Sequence, residues 1–325
     1  MLALLNTRNG ALTSYMAAMP HEHAAYRLRH VAVVMNAKAG ALLSAQDDGA
    51  AALDHLFARN GMQVRFIGDD AGTLPERIEA ALVANPDAVV VAGGDGTIAC
   101  AAQVMHGKTE TPLGILPFGT ANLLARDLNL PIGDTEAAIA ALGRGKVRLI
   151  DVAEVNGQLF LCAAMLGLPT HLGRHRENAR GAKMTFLRRL PLAALRHILR
   201  PNPLRARLSL GGEYFRIRAS AATITVNPVE EVTGPRFARQ NLDGGRLVFY
   251  EIRARGIMGW AKFIGRVLAR RWRRDPGLRE WSGRWMRLDR LESRAIHVMV
   301  DGEMRLLDPP LDFTVHPGAL RVLAG

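Results

Sequence analysis

Residues 89–102 read VVVAGGDGTIACAA. An apolar run halts at Gly93-Gly94-Asp95-Gly96-Thr97 and resumes as Ile98-Ala99-Cys100-Ala101-Ala102. Short apolar runs bounded by turn residues fit a strand buried on both faces, and TIACAAQVMHG (97–107) reads as the following helix. Glycines between a strand and a helix let backbone N–H groups approach an anion with no Cβ in the way. The helix dipole adds positive potential there. Thr97 can cap the helix or donate its hydroxyl to a phosphate. Asp95 would repel a phosphate unless a cation such as Mg2+ stands between them. Together these residues point to a Mg2+-bound nucleotide. A helix start capped by Asp and Thr accounts for Thr97 but leaves three glycines without a reason.

The flanks repeat one texture. RHVAVVMNAKAG (29–40) is a buried strand ending at Asn36, and ALLSAQDDGAAALDHLFARNG (41–61) is a helix stopped by Asn60-Gly61. MQVRFIG (62–68) is a strand, and LPERIEAALVANP (74–86) is a helix with Pro75 in its first turn. DAVVVAG (87–93) is the third strand and PLGILPFG (112–119) the fourth, followed by TANLLARDLNLP (120–131) and a helix over 134–145. Strands alternating with helices across short loops predict a parallel sheet covered on both faces, with ligands at the strands' carboxyl ends. Asn36, the GGDGT turn and PFGTAN all fall at such ends.

Beyond about residue 148 the texture changes. VRLIDVAEV, QLFLCAAMLG (158–167), ARLSLGG, YFRIRASAATITV (214–226), GRLVFYEIRA, AIHVMVDGEMRLL and LDFTVHPGALRVL each read as a strand. The expectation is an N-terminal α/β nucleotide-binding domain (30–148) followed by a mostly antiparallel β domain (149–325), after an extension over 1–29. His21-Glu22-His23 in that extension lacks the HExxH spacing and reads as polar surface.

Composition narrows the partners. At 325 residues there is room for two cores, and no apolar run approaches the ~20 residues of a membrane-spanning helix. The start has no basic region ahead of its apolar residues, so no cleaved secretory signal is expected. Cys100 and Cys162 are the only cysteines, which argues against a disulfide framework and for a reducing cytoplasm. The net charge of +12 concentrates in residues 173–207 and 253–275, where Arg and Lys alternate with Leu, Ile, Phe or Trp. Such surfaces attract polyanions, either nucleic acid or anionic lipid. Trp260, Trp272, Trp281 and Trp285 could stack on bases or sit at a membrane interface. His171 and His175 lie four apart with Gly173 between them and no third metal ligand, and read as surface residues.

Two nucleotide motifs fail. Gly94-x-Gly96-x-x-Ala99 fits GxGxxG/A, but the next strand ends ILPFGT without the ribose-binding acid. A P-loop Gly-Lys-Ser/Thr is absent. GGDGT with LGILPFGTANLLARDLNLP, RQNLDGGRLVFYEIR (239–253), HVMVDGEMRLL (297–307) and the closing PGALRVL resembles the diacylglycerol kinase catalytic family, in its soluble bacterial lipid-kinase branch. GGDGT alone is also shared with NAD kinases and phosphofructokinases.

The resemblance implies an NAD-kinase/phosphofructokinase-like α/β domain, a C-terminal β-sandwich for the lipid, a cleft between them, and a last strand that often returns to the first domain. It also implies an ATP- and Mg2+-dependent kinase acting on a lipid hydroxyl, of diacylglycerol or of a sphingoid or ceramide lipid. Such an enzyme would be cytoplasmic and held at the inner face of an anionic membrane, with no nucleic acid as partner. By the resemblance, Asn36, Gly93, Gly94, Asp95, Gly96 and Thr97 line the nucleotide phosphates. Gly119, Thr120 and Asn122 form the facing loop, with Arg126 on the next helix. Glu303 takes the proton, with Asp95 as the other catalytic acid. By the same resemblance, Asp243 matches an acid that can bind a structural Mg2+ with backbone carbonyls around Gln240 and Gly245. Asp151 matches an acid at the domain junction. The chain departs from the family at Ala37 and Ala39, at Ile98-Ala99 and at Leu123, where an acid of the metal network is common. Two other readings stay open: a kinase of a soluble substrate such as NAD, and a catalytically altered lipid- or nucleotide-binding module.

Overall fold

The computed structural model describes residues 28–36, 49–144, 146–168, 170, 203–231, 239, 241–290 and 295–325. The histidines at 21, 23, 171 and 175, Glu22, Gln240 and nearly all of the basic stretch 173–207 lie outside the described residues.

Strands β1 (His30–Met35), β2 (Gln63–Ile67), β3 (Ala88–Gly93) and β4 (Leu113–Pro117) form a parallel sheet in the order β2-β1-β3-β4. β3 is buried along its whole length, as its unbroken apolar sequence requires. Helices α1 (Gly49–Arg59), α2 (Leu74–Val83), α3 (Asp95–Met105), α4 (Leu123–Asp127) and α5 (Thr135–Gly143) belong to this half. α2 starts on a capping box: the Thr73 N–H and hydroxyl both donate to Glu76 Oε2 at 2.7 Å. α5 starts on Asp134, whose Oδ1 accepts from Ala137 N–H at 2.9 Å.

Apart from one parallel contact of the last strand with β4, the remainder is antiparallel. β5 (Lys146–Val155), β6 (Gln158–Phe160), β8 (Leu204–Leu210), β9 (Glu213–Ala219), β13 (Trp285–Arg290) and β16 (Leu311–Ala324) extend the first sheet to ten strands. β7 (Ala163–Gly167), β10 (Ala221–Val226), β11 (Leu247–Ile252), β12 (Leu278–Gly283), β14 (Ile296–Val300) and β15 (Glu303–Leu307) form a six-stranded sheet, ordered β12-β11-β10-β7-β14-β15. A second hydrophobic core lies between the sheets, with Phe160 set edge-on to Phe313 at 6.5 Å. The chain is thus α/β followed by antiparallel β. No helix among the described residues is long and apolar enough to cross a membrane.

β16 joins the two halves. Its first part pairs with β13 and buries Leu311, Phe313 and Val315 in the second core. After an irregularity between His316 and Leu320, Leu320, Val322 and Leu323 enter the first core, and Val322 pairs in parallel with Leu113 of β4. β5 follows it antiparallel along both parts, with Ile150 and Val152 in the first core and Ala153 and Val155 in the second.

Two segments read from sequence as single strands are each split between the sheets. Residues 158–167 leave the larger sheet after β6 because Asp301 accepts the N–H groups of Leu161, Cys162 and Ala163 at 2.6, 2.9 and 2.9 Å. Those amides are lost to a ladder and the chain crosses over as β7. Residues 214–226 change sheets at Ser220, whose hydroxyl donates to Ala254 O at 2.6 Å. Phe160, Ala164 and Leu166 keep one phase through the first crossing, so periodicity cannot reveal it, whereas the core positions slip by one residue between Ala219 and Ala222 at the second. β12 and β13 were not expected, since their arginines obscure the alternation. Trp281 and Trp272, read as base- or membrane-facing, pack inside the protein. Trp281 contacts Phe215 and Phe249, and Trp272 contacts Tyr250.

Asp151 sits at the junction and is 2 % exposed. It accepts Asn227 Nδ2 at 2.8 Å, Gly245 N–H at 2.6 Å and Gly318 N–H at 2.8 Å. One carboxylate thus fastens β5, the approach to β11 and the irregular part of β16. Asp151→Ala leaves three donors without their acceptor and should lower stability by about 3 kcal/mol. The denaturant midpoint reads this directly, and a shift of only a few tenths would show that the junction does not depend on it.

Candidate active site

Sequence places Asp95 just after a strand, and the structure makes it the first residue of α3, with Gly94 as its N-cap. The helix therefore starts two residues earlier than expected. Thr97 lies inside its first turn, buried, and its Oγ1 accepts from Asn36 Nδ2 at 2.9 Å. Thr97 and Ile98 N–H both donate to Gly94 O. The N–H groups of Asp95 and Gly96 have no intrahelical acceptor, as at any helix start.

Asp95 turns away from its own helix. Its Oδ2 accepts Asn122 N–H at 2.9 Å and its Oδ1 accepts Leu123 N–H at 2.6 Å, so it holds the start of α4. Asn122 is buried in a left-handed conformation, φ 50°. Its side chain folds back on Gly119, accepting the N–H at 2.9 Å and donating to the carbonyl at 2.8 Å. The two glycine turns touch: a Cβ on Gly119 would lie 2.6 Å from Gly94 Cα. A methyl group at either position would part them.

Glu303 arrives from the other sheet. β14 and β15 form a hairpin whose turn is Asp301-Gly302, both at positive φ. Asp301 is buried, and burial raises its carboxyl above the ordinary value against the pull of three backbone hydrogen bonds. That anchored turn delivers Glu303 to the start of α3, where a Cβ on Gly96 would be 2.6 Å from Glu303 Oε1. Glu303 is half-exposed and paired with Arg305 at 2.7 Å. Asn36, Gly96, Thr97, Phe118, Thr120 and Glu303 are among the walls of one cleft of about 690 Å3. Cys100 also lines it, and burial, with the Glu303 charge second, raises its thiol, which disfavours a thiolate.

The other residues singled out in the sequence lie elsewhere. Arg126 is exposed and its Nε donates to Ala121 O at 2.9 Å. Asp243 is exposed, and its N–H donates to Asn241 Oδ1 at 2.9 Å, while Gly245 N–H is taken by Asp151. No group of three or more His, Cys, Asp or Glu residues among the described ones is arranged to hold a metal. At the family departures, Ile98 is a core residue, and Leu123 contributes its backbone N–H to Asp95 whatever its side chain.

Sequence reasoning missed the polar seam behind the cleft. Asp127, at the end of α4, meets Arg239 in a doubly hydrogen-bonded pair at 2.7 and 2.9 Å, with both side chains almost fully buried. Arg239 also donates to Leu161 O, Val226 O and Cys162 Sγ at 2.7, 2.9 and 3.2 Å. Burial raises the Asp127 carboxyl, with the Arg239 charge opposing, and raises the Cys162 thiol well above its ordinary value. No spacing rule links residues 127 and 239, and only the fold brings them together. Arg239→Met strands a buried carboxylate and should cost about 3–5 kcal/mol. Adding Asp127→Asn should return much of it, as equilibrium unfolding of both variants would show; equal losses would deny the coupling.

A family model for the diacylglycerol kinase catalytic domain matches residues 30–155. A diacylglycerol kinase of Mycobacterium tuberculosis is 34% identical over 178 residues, 53% of this chain and 56% of that protein. One from Bacillus subtilis is 36% identical over 106 residues, 31% of this chain and 34% of the relative. The aligned stretches thus span about half or less of these relatives' own length. A solved diacylglycerol kinase structure from Bacillus anthracis superposes with a TM-score of 0.67, covering 92% of this chain and 98% of that one at 20% identity, which establishes a shared fold. Residues 30–155 are therefore similar to the diacylglycerol kinase catalytic domain, the family that the sequence motifs resemble.

Proposed function

We propose that this chain is an ATP-dependent lipid kinase that transfers the γ-phosphate to a hydroxyl of diacylglycerol or of a sphingoid or ceramide lipid. The observation that carries the reading is the meeting of Glu303, from the β half, with Gly96 at the start of α3. A carboxylate able to accept a proton thereby borders the same cleft as Gly94, Gly96 and Thr97 at the start of α3.

The residues fit a nucleotide phosphate. Two amides without an intrahelical acceptor at the start of an eleven-residue helix, with no Cβ at Gly94 and Gly96, favour an anion. Thr97, Asn36 and the Gly119-Thr120 edge complete the walls. Mg2+ usually needs one or two carboxylates and completes its shell with phosphate oxygens and water. Asp95 retains lone pairs after its two amide bonds and would hold the ion with the phosphates, where it neutralises charge on the transferring group. Glu303 would accept the proton from the lipid hydroxyl as its oxygen bonds to the γ-phosphorus and the bond to ADP breaks. Arg305 orients that carboxylate. We further assign nucleotide binding to residues 30–148 and lipid handling to 149–325, with Asp243 a site for a structural cation, in a cytoplasmic protein that works at the membrane's inner face.

Labelled ATP with vesicles containing diacylglycerol, or with total lipid extract and mass spectrometry of the product, tests the reading. Glu303→Gln should lower turnover by about 10²–10⁴-fold without altering the unfolding transition, and Asp95→Asn should abolish turnover. Full activity in Glu303→Gln would remove the proton acceptor. Transfer to NAD in preference to any lipid would replace the proposal altogether.

A further inference from the structure

One helix is inverted relative to the usual rule. A surface helix normally turns its apolar stripe to the core and its charges to water. Helix α6 (Gly256–Leu268) has no buried residue. Ile257, Ile264 and Leu268 are 56%, 52% and 59% exposed, and Ala261 between them is exposed as well. At spacings of four, three and four they form one continuous apolar ridge along the outer side. Met258, 68% exposed, flanks it.

The helix is held in this orientation. Its inner side carries Phe263, Val267 and Arg266, and Arg266 pairs with Asp275 beyond the helix end. The chain then returns through Trp272, which packs edge-on against Tyr250 at 5.5 Å. Around the ridge, Arg255, Lys262, Arg270, Arg271 and Arg274 are exposed and have no ion-pair partner among the described residues. The nearby acids are engaged: Asp275 with Arg266, and Glu280 with Arg273.

We infer that α6 is the membrane-docking element, inserting its ridge among the acyl chains of an anionic phospholipid surface while its arginines and lysine meet the headgroups. Apolar side chains ringed by unpaired cations match that surface in both respects. A second copy of the chain fits poorly, because a two-fold contact would set the same unpaired cations against each other. The ridge lies at the Ile252 end of the six-stranded sheet, where β11 pairs with Ala221 of β10, while Glu303 follows Val300 at the opposite end. The two are separated by roughly 17 Å of strand. Docking and chemistry are therefore assigned to different residues. The inference takes the lipid surface from the lipid-kinase reading, and its test is made without ATP.

The test is sedimentation of the full chain with vesicles of phosphatidylcholine alone or mixed with phosphatidylglycerol. The wild-type chain should bind the mixed vesicles, and the neutral ones at least about tenfold more weakly. Ile257→Asn/Ile264→Asn, and separately Lys262→Gln/Arg270→Gln/Arg271→Gln, should each weaken binding by about tenfold or more. All these positions are exposed, so the unfolding transition should not move. Turnover on lipid dissolved in detergent micelles should also stay the same. Wild-type vesicle affinity in the ridge variant would overturn the inference. So would a dimer that the ridge variant dissociates with vesicle binding unchanged. Vesicle binding without phosphorylation of any lipid would leave docking standing and remove the kinase reading instead.

Discussion

The cleft depends on the two bonds that Asp95 makes to Asn122 and Leu123 N–H. α4 has no side-chain cap of its own, because Asn122 is committed to Gly119. Asp95 supplies the missing acceptor from across the cleft and so fixes the distance between the two glycine turns. Its charge sits at the first turn of α3 and against the first amides of α4, where backbone dipoles favour a negative group. The positive potential that would hold a phosphate is thus partly neutralised by the residue that assembles the site. A divalent cation between Asp95 and a phosphate, as proposed, would relieve that tension.

The apposed turns explain which glycines matter and why. Gly94 and Gly119 are required by each other, at backbone contact, whereas a Cβ on Gly96 would meet only the flexible end of Glu303. The first is a steric requirement independent of any ligand. A motif read as a phosphate cradle is also a packing motif, and the two roles coincide because both need an accessible backbone.

Much of the α/β half was legible in the sequence, because buried strands followed by glycine turns leave a strong local signal. The ends of β1, β3 and β4 fall where Asn36, GGDGT and PFGTAN place them. The seam was not legible. Asp127, Arg239, Cys162 and Asp301 are scattered over 175 positions, and nothing local marks them as partners. In the sequence, Asp301 stands out only as part of the Asp-Gly-Glu turn that carries Glu303. In the structure it splits one apparent strand between two sheets by taking three consecutive amides. Alternation reports which face a side chain occupies and is blind to this change of sheet. The buried carboxylates Asp127, Asp151 and Asp301 each bind elements distant in sequence, which gives the junction between the cores its directionality. Apolar contact alone would fix the area of that junction and leave its register loose.

α6 shows the same limit from the other side. Its ridge of Ile257, Ala261, Ile264 and Leu268 has the period of a core-facing stripe, and a wheel drawn from sequence would turn it inward. The outcome is decided by contacts outside the helix: Arg266 is committed to Asp275, and Trp272 is seated on Tyr250. With those fixed, burying the ridge would carry Arg266 away from its partner. Amphipathic period states that a helix has two faces, and the anchors at its ends decide which one meets water. An apolar face held outward by ion pairing, among cations left unpaired, is a surface shaped for something other than water.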